Sequence, residues 1–167
     1  MRLTLALLLA GLFLCCYGSR ARADSTTELA LRRLCGTGST WLAPFVDSAA
    51  RRYLFHGVTL VAVMAHESGC DMDAVGAAGE RCAMQLRGVA RNGHTGAELA
   101  GNPALCIDTG ARWLALRQVD CGGGLLLGLS GYNARTCSGG KKYARKVQAL
   151  INAFWRGLSP LPGSRLS

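Results

Sequence analysis

Apolar residues recur at helical spacing along most of this chain. Trp41, Phe45, Ala49 and Tyr53 stand four apart, which predicts a helix over about 41–55, ended by Gly57. Residues 58–67, "VTLVAVMAHE", stay apolar almost to their end and read as a buried helix, although their β-branched content also allows a buried strand. After Ser68 the pattern dissolves into loop, punctuated by Gly69, Gly76 and Gly79. Asn102-Pro103 opens the next helix, because Asn caps well and Pro is tolerated at the first helical position. Ile107, Ala111, Leu114 and Gln118 form its stripe, Cys106 and Trp113 flank it, and "CGGG" at 121–124 stops it. "LLLGLSGYNA", 125–134, is an apolar helix in which Gly128 and Gly131 let another backbone come close. Tyr143, Val147, Leu150, Ile151 and Phe154 define a last helix, with Lys142, Arg145 and Lys146 on a solvated face. No stretch alternates convincingly as a strand would, and no repeat is present. The pattern predicts an all-α, mainly helical single domain.

The two ends fall outside that pattern. Residues 1–23, "MRLTLALLLAGLFLCCYGSRARA", join an early Arg2, an apolar run and an Ala-x-Ala site, and read as a signal peptide. The run is too short to span a bilayer comfortably, which needs roughly 20 residues. A retained anchor is therefore the weaker reading, as is lipid attachment at Cys15 or Cys16, since bulky Leu14 stands where small residues are usual. Residues 24–40 form an N-terminal segment with a "GTGST" loop, 41–156 the domain proper, and 157–167 a loose tail.

Charge narrows the setting. The chain carries 19 Lys and Arg against 10 Asp and Glu, and loses Arg2, Arg20 and Arg22 with the leader, leaving +6. A basic exported protein meets anionic surfaces such as wall polymers, lipid headgroups or nucleic acid, or uses the charge for solubility alone. Nucleic acid is disfavoured, because the basic residues are scattered and not interleaved with aromatics.

Six cysteines remain after residue 23: Cys35, Cys70, Cys82, Cys106, Cys121 and Cys137. An even count in an exported chain predicts disulfides, and sequence leaves the connectivity open. Wide spacing without a C-x-x-C argues against zinc. His56, His66 and His94 show no ligand-like spacing and read as ordinary histidines.

The residue that asks for chemistry is Glu67. It lies three and four places beyond Met64 and Val63, so it shares their face of the helix. A carboxyl on a core-facing side is desolvated, its pKa rises, and it can hold a proton for a leaving group. Position alone equally allows a Glu at the helix end that points into water.

The text downstream bears on that choice. Glu67-Ser68, the turn of Ala74 to Gly79, Ala83-Met84-Gln85-Leu86 and Gly131-Tyr132-Asn133 resemble, in order, the motifs of the lytic transglycosylase family, which shares a lysozyme-like domain with goose-type lysozyme. "NPALCIDTGARWLALR" and "YARKVQAL" are similar to that family's following helices, so the likeness runs over about 41–155. Two positions depart from the pattern. Cys82-Ala83 replaces a Gly-Leu pair, where glycine lets backbone approach the sugar, and Gly131 replaces a small alanine. Cys70 and Cys82 flank the turn, and bridges to Cys106, Cys121 or Cys137 would hold it.

The resemblance implies a peptidoglycan lytic transglycosylase that works with a single carboxyl group. Most glycosidases use two, but a substrate 2-acetamido oxygen can serve instead. Glu67 would protonate the leaving oxygen and then act as base, while the C6 hydroxyl closes a 1,6-anhydro ring. Tyr132 would bond and orient Glu67, Gln85 and Met84 would meet the sugar, Ser68 would touch substrate or cap the helix, and Asn133 would hold loop backbone. A second carboxylate would point to a lysozyme-type hydrolase; Asp71, Asp73 and Asp108 are the candidates, otherwise turn formers. A third reading is a wall-binding assembly factor without turnover. The expected partners are peptidoglycan glycan strands and, from the family, an envelope secretion or conjugation apparatus. The protein is expected to act as a monomer, without cofactor or metal, in the periplasm or outside the cell.

Overall fold

The structure, a computed structural model, describes residues 25–158. The expected signal peptide and nearly all of the expected tail lie outside that range. Among the described residues seven α-helices follow one another: α1 Thr26–Leu34, α2 Ala43–Tyr53, α3 Gly57–Ser68, α4 Gly96–Ala100, α5 Pro103–Asp120, α6 Leu125–Ala134 and α7 Lys141–Arg156. Short 3₁₀ turns at Thr37–Leu42 and Gly88–Arg91 join them. The domain is all-α, and among the described residues pairing of the β type is confined to two isolated bridges, Val75 with Arg81 and Arg81 with Leu86. No described helix is long and apolar enough to cross a membrane.

Helix α3 runs through the centre. Every residue from Val58 to Met64 is buried, and Val58, Leu60, Val61, Val63 and Met64 are 1 % exposed or less. Full burial of one such side chain contributes about 1.5–3 kcal/mol. That settles 58–67 as helix: a 12-residue apolar segment is longer than a typical core strand, and α1, α2 and α7 surround it. Helix α5 packs on α2 and α6, and α6 packs on α7.

Three local expectations change. The helix expected over 41–55 is a 3₁₀ turn followed by α2, which starts at Ala43 with Pro44 in its first turn. Gly57 does not end that helix, which stops at Tyr53 with Leu54 as its left-handed cap: it begins α3, and a Cβ there would lie 2.2 Å from Thr27 Oγ1 on α1. The segment at 24–40 is not outside the domain, because α1 buries Thr27, Ala30 and Leu31 in the common core.

Two helices went unread in the sequence although each begins with a capping box. At α1 the Ser25 hydroxyl accepts from the Glu28 N–H (3.1 Å), and the Ser25 N–H donates to Glu28 Oε2 (2.9 Å). Thr95 and Glu98 repeat the exchange at α4, at 3.2 and 2.7 Å. Both helices are short and bury only a few residues, so their apolar period is faint.

The six cysteines form three disulfides, Cys35–Cys70, Cys82–Cys106 and Cys121–Cys137. Cys82 takes one of the partners expected for it. Cys70 instead bridges back to Cys35, tying the end of α1 to the residue after the α3 cap.

The small residues of α6 act as expected. A Cβ on Gly128 would sit 2.9 Å from Gln118 Cα and 3.2 Å from its backbone N, where α5 and α6 cross. Backbone cannot swing aside as a side-chain tip can, so Gly128→Ala should destabilise the fold by about 1–3 kcal/mol, read from urea unfolding. Gly123→Ala tests the same residue change where no such neighbour exists, but at φ +88° it probes backbone strain instead.

Candidate functional site

The end of α3 and the long loop after it build one side of a cleft of about 350 Å³. Glu67 is the penultimate residue of α3, with Val63 and Met64 fully buried on the same face. Gly69 closes the helix in the left-handed conformation (φ 67°), its N–H donating to the Ala65 carbonyl at 3.1 Å. The chain then turns away and returns, bringing Glu80 and Gln85 into the cleft, while α5 and α6 supply Trp113, Tyr132 and Asn133.

The return loop is fixed from several sides. The Ser68 hydroxyl donates to the Ala83 carbonyl (3.0 Å), joining the helix end to the Met-Gln segment. The Tyr132 hydroxyl donates to the Met84 carbonyl (2.7 Å). Cys82 adopts φ 59° and Gln85 φ 48°, left-handed conformations that cost non-glycine residues energy and need surrounding support. The Cys82–Cys106 bond supplies it at the first position. At the second, the Gln85 N–H donates to the Cys82 carbonyl at 2.9 Å, and Gln85 Nε2 to the same oxygen at 3.1 Å. Cys82 is thus fully buried and turned toward α5, away from the cleft.

Gly76 makes room beneath the Glu80 carboxylate and the Gln85 amide. A Cβ there would lie 2.4 Å from Glu80 Oε2 and 2.6 Å from Gln85 Oε1, so these two oxygens converge over the glycine.

Several roles expected from the sequence move to other residues. Tyr132 lines the cleft but spends its hydroxyl on Met84 and does not bond Glu67. Tyr143 of α7 takes that place beside the carboxyl: it stacks on Tyr132 with ring centroids 6.2 Å apart, and its hydroxyl is buried and short of a complete hydrogen bond. Met84 is wholly buried and packs against Gly110, so it shapes the loop without reaching the cleft. Ser68 is likewise engaged with backbone. Gln85 and Asn133 do line the cleft.

None of the three aspartates faces Glu67. Asp71 accepts from the Asp73 N–H (2.9 Å) in a turn, and Asp108 pairs with Arg52 (2.9 Å) and Tyr53 (3.1 Å) in a separate hollow. The second carboxylate in the cleft is Glu80, which sequence reading passed over. It lies in an irregular loop, so no periodicity connects it with α3.

The two carboxyls are driven apart in acidity. Burial raises Glu67 to about 7; the nearby Tyr143 hydroxyl works against that shift, and the charge of Glu80 adds to it. Glu80 is lowered, chiefly by its own backbone N–H; burial opposes this, and the Ala78 N–H (2.9 Å) and the charges of Arg87 and Arg91 reinforce it. Burial, followed by the Glu67 charge, raises both Tyr132 and Tyr143, so their hydroxyls stay protonated. His66 packs its ring 5.1 Å from that of Tyr143, and its pKa is lowered by burial and then by Lys146. At neutral pH the cleft therefore pairs a carboxyl poised to give or take a proton with one held ionised, an arrangement that can support general acid–base chemistry.

Among the described residues no three His, Cys, Asp or Glu side chains gather as a metal-holding group. No family model matches the chain, and no curated protein matches it either.

The shifted carboxyl has a consequence for stability. Between pH 4.5 and about 7 the folded chain holds the Glu67 proton while an unfolded Glu has lost it. Stability from this group is therefore greatest at low pH and falls as pH rises through that window. Glu67→Gln removes the penalty: its stability relative to the parent should rise by up to about 3 kcal/mol from pH 4 to pH 8 in urea titrations. A constant difference across that range would contradict a desolvated carboxyl.

Proposed function

We propose that the protein is a peptidoglycan lytic transglycosylase, cleaving the β-1,4 bond between N-acetylmuramic acid and N-acetylglucosamine. The observation that carries this reading is the Glu67 carboxyl, buried at a helix end, raised to about 7 and opening into a cleft with Gln85, Tyr132 and Asn133. Three segments that resemble family motifs in sequence thus meet at one place.

In this reading Glu67 gives its proton to the bridging oxygen as the C1–O4 bond breaks. The 2-acetamido oxygen of the muramyl residue stabilises positive charge at C1. Glu67, now a carboxylate, takes the proton of the C6 hydroxyl as that oxygen attacks C1, and the 1,6-anhydro ring closes without water. Tyr143 suits this cycle, because its buried hydroxyl can complete a hydrogen bond when Glu67 becomes charged. Gln85 offers an amide to sugar acetamido or hydroxyl groups. Three disulfides fit an oxidising compartment, and we place the protein in the periplasm or outside the cell after loss of residues 1–23.

Glu80 favours a second reading, a lysozyme-type hydrolase. An ionised carboxylate in the same cleft can activate water on the far side of the sugar while Glu67 acts as acid. The two readings differ in their products. Digested peptidoglycan should yield anhydro-muramyl ends by mass spectrometry; reducing ends would select hydrolysis. A protein that binds the wall but releases nothing would leave only an assembly role.

Variants sharpen the choice. Glu67→Gln should lower fragment release by at least about a hundredfold and retain wall binding. Release should fall as pH climbs through about 7, where Glu67 loses its proton. Glu80→Gln should keep anhydro products and move that limb to lower pH, since a negative neighbour no longer holds the Glu67 proton. Collapse of turnover in Glu80→Gln, with reducing ends from the parent, would make Glu80 the base of a hydrolase.

A further inference from the structure

Two arginines line the cleft, and they are not equivalent. Arg87 is matched by Glu80, its Nε 3.4 Å from Oε1. Arg135 has no such match: among the described residues its guanidinium makes no ion pair and no hydrogen bond. A cation that lines the same cleft as two carboxyls, bonded to neither, is available to an anion from outside.

Its position is built. Arg135 caps α6 in the left-handed conformation (φ 61°), and its N–H donates to the Gly131 carbonyl at 2.9 Å. Its own carbonyl accepts from Arg117 Nη2 at 2.9 Å. Arg117 is held in turn by Asp120 (2.7 Å) and by the Trp113 ring, whose centroid lies 5.4 Å from its Cζ. Two residues on, Cys137 is bonded to Cys121. With its backbone fixed, the side chain crosses toward the Gly88–Arg91 turn. Gly88 stands opposite with φ 53°, and a Cβ there would lie 3.0 Å from Arg135 Nη2. The absent side chain leaves the guanidinium room at the cleft wall.

We propose that Arg135 is a specificity-determining residue that binds a carboxylate carried by the muramyl unit of the glycan strand. The proposal rests on the reading of the cleft as a glycan site. A guanidinium fork recognises a carboxylate bidentately, with geometric selectivity that an ammonium lacks. A muramyl strand presents carboxylates from two sources: the lactyl group of a strand stripped of peptide, or the stem peptide when it is attached. A strand of N-acetylglucosamine alone presents none. Arg135 thereby selects muramyl polymers over chitin-like ones, through binding and not through the bond-breaking step.

Three soluble substrates separate these cases: strands with stem peptides, strands stripped to free lactyl carboxylates, and stripped strands converted to methyl esters. Arg135→Gln should raise KM roughly tenfold on a carboxylate-bearing strand with kcat little changed, and Arg135→Lys should recover part of the loss. Its deficit should shrink below about twofold on the methyl esters. A deficit on the first substrate alone names the stem peptide, on the second alone the lactyl group, and on both the shared carboxylate chemistry. An equal deficit on all three, or none, overturns the proposal. If the parent protein cleaves nothing, the glycosidase reading fails but Arg135 is still decided. Calorimetric binding of the same strands should then be about tenfold weaker for Arg135→Gln than for the parent, and equal affinities would refute its role.

Discussion

The burial of α3 is the constraint on which the rest depends. From Val58 to Met64 the helix meets protein on every side, and α1, α2 and α7 are placed by the need to cover it. Its polar end has no such freedom. Glu67 follows the last fully buried turn, so its carboxyl emerges where protein gives way to a cleft. The same packing that stabilises the core therefore sets the proton affinity of the group on which the proposed reaction depends.

A carboxyl held in that way needs a partner surface that does not drift. The loop from Cys70 to Arg87 is irregular and includes left-handed cysteine and glutamine residues. Local sequence alone would not hold it. Bonds from Ser68, Tyr132 and Cys106 converge on Cys82, Ala83 and Met84, and so locate Gln85 relative to Glu67. The disulfide of Cys82 to Cys106 anchors the left-handed backbone at position 82 covalently, with the side chain directed into the core.

The charged groups of the cleft fall into a pattern of matched and unmatched pairs. Of the charged residues that line it, Glu80 and Arg87 neutralise one another, and Glu67 is mostly uncharged below neutrality. What is left over is the guanidinium of Arg135. In a cleft otherwise balanced, one surplus cation is a statement about the ligand, and this gives the proposed anion subsite its physical basis.

Much of this was legible along the chain. The apolar period of 58–67 and 103–120, the small residues of 125–134 and the even cysteine count determined an all-α domain closed by disulfides, because each depends on neighbours a few residues apart or on composition. The placement of Glu67 on the face of Val63 and Met64 followed from helix geometry in the same way. Sequence did not decide which tyrosine stands beside Glu67, since Tyr132 and Tyr143 both look like core residues of their helices. Nor did it pick Glu80 over Asp71, Asp73 and Asp108 as the second carboxylate of the cleft. Those choices turn on how an aperiodic loop folds back and how α6 and α7 pack on each other and α7 on α3, contacts between residues far apart in the chain, which only the tertiary structure fixes.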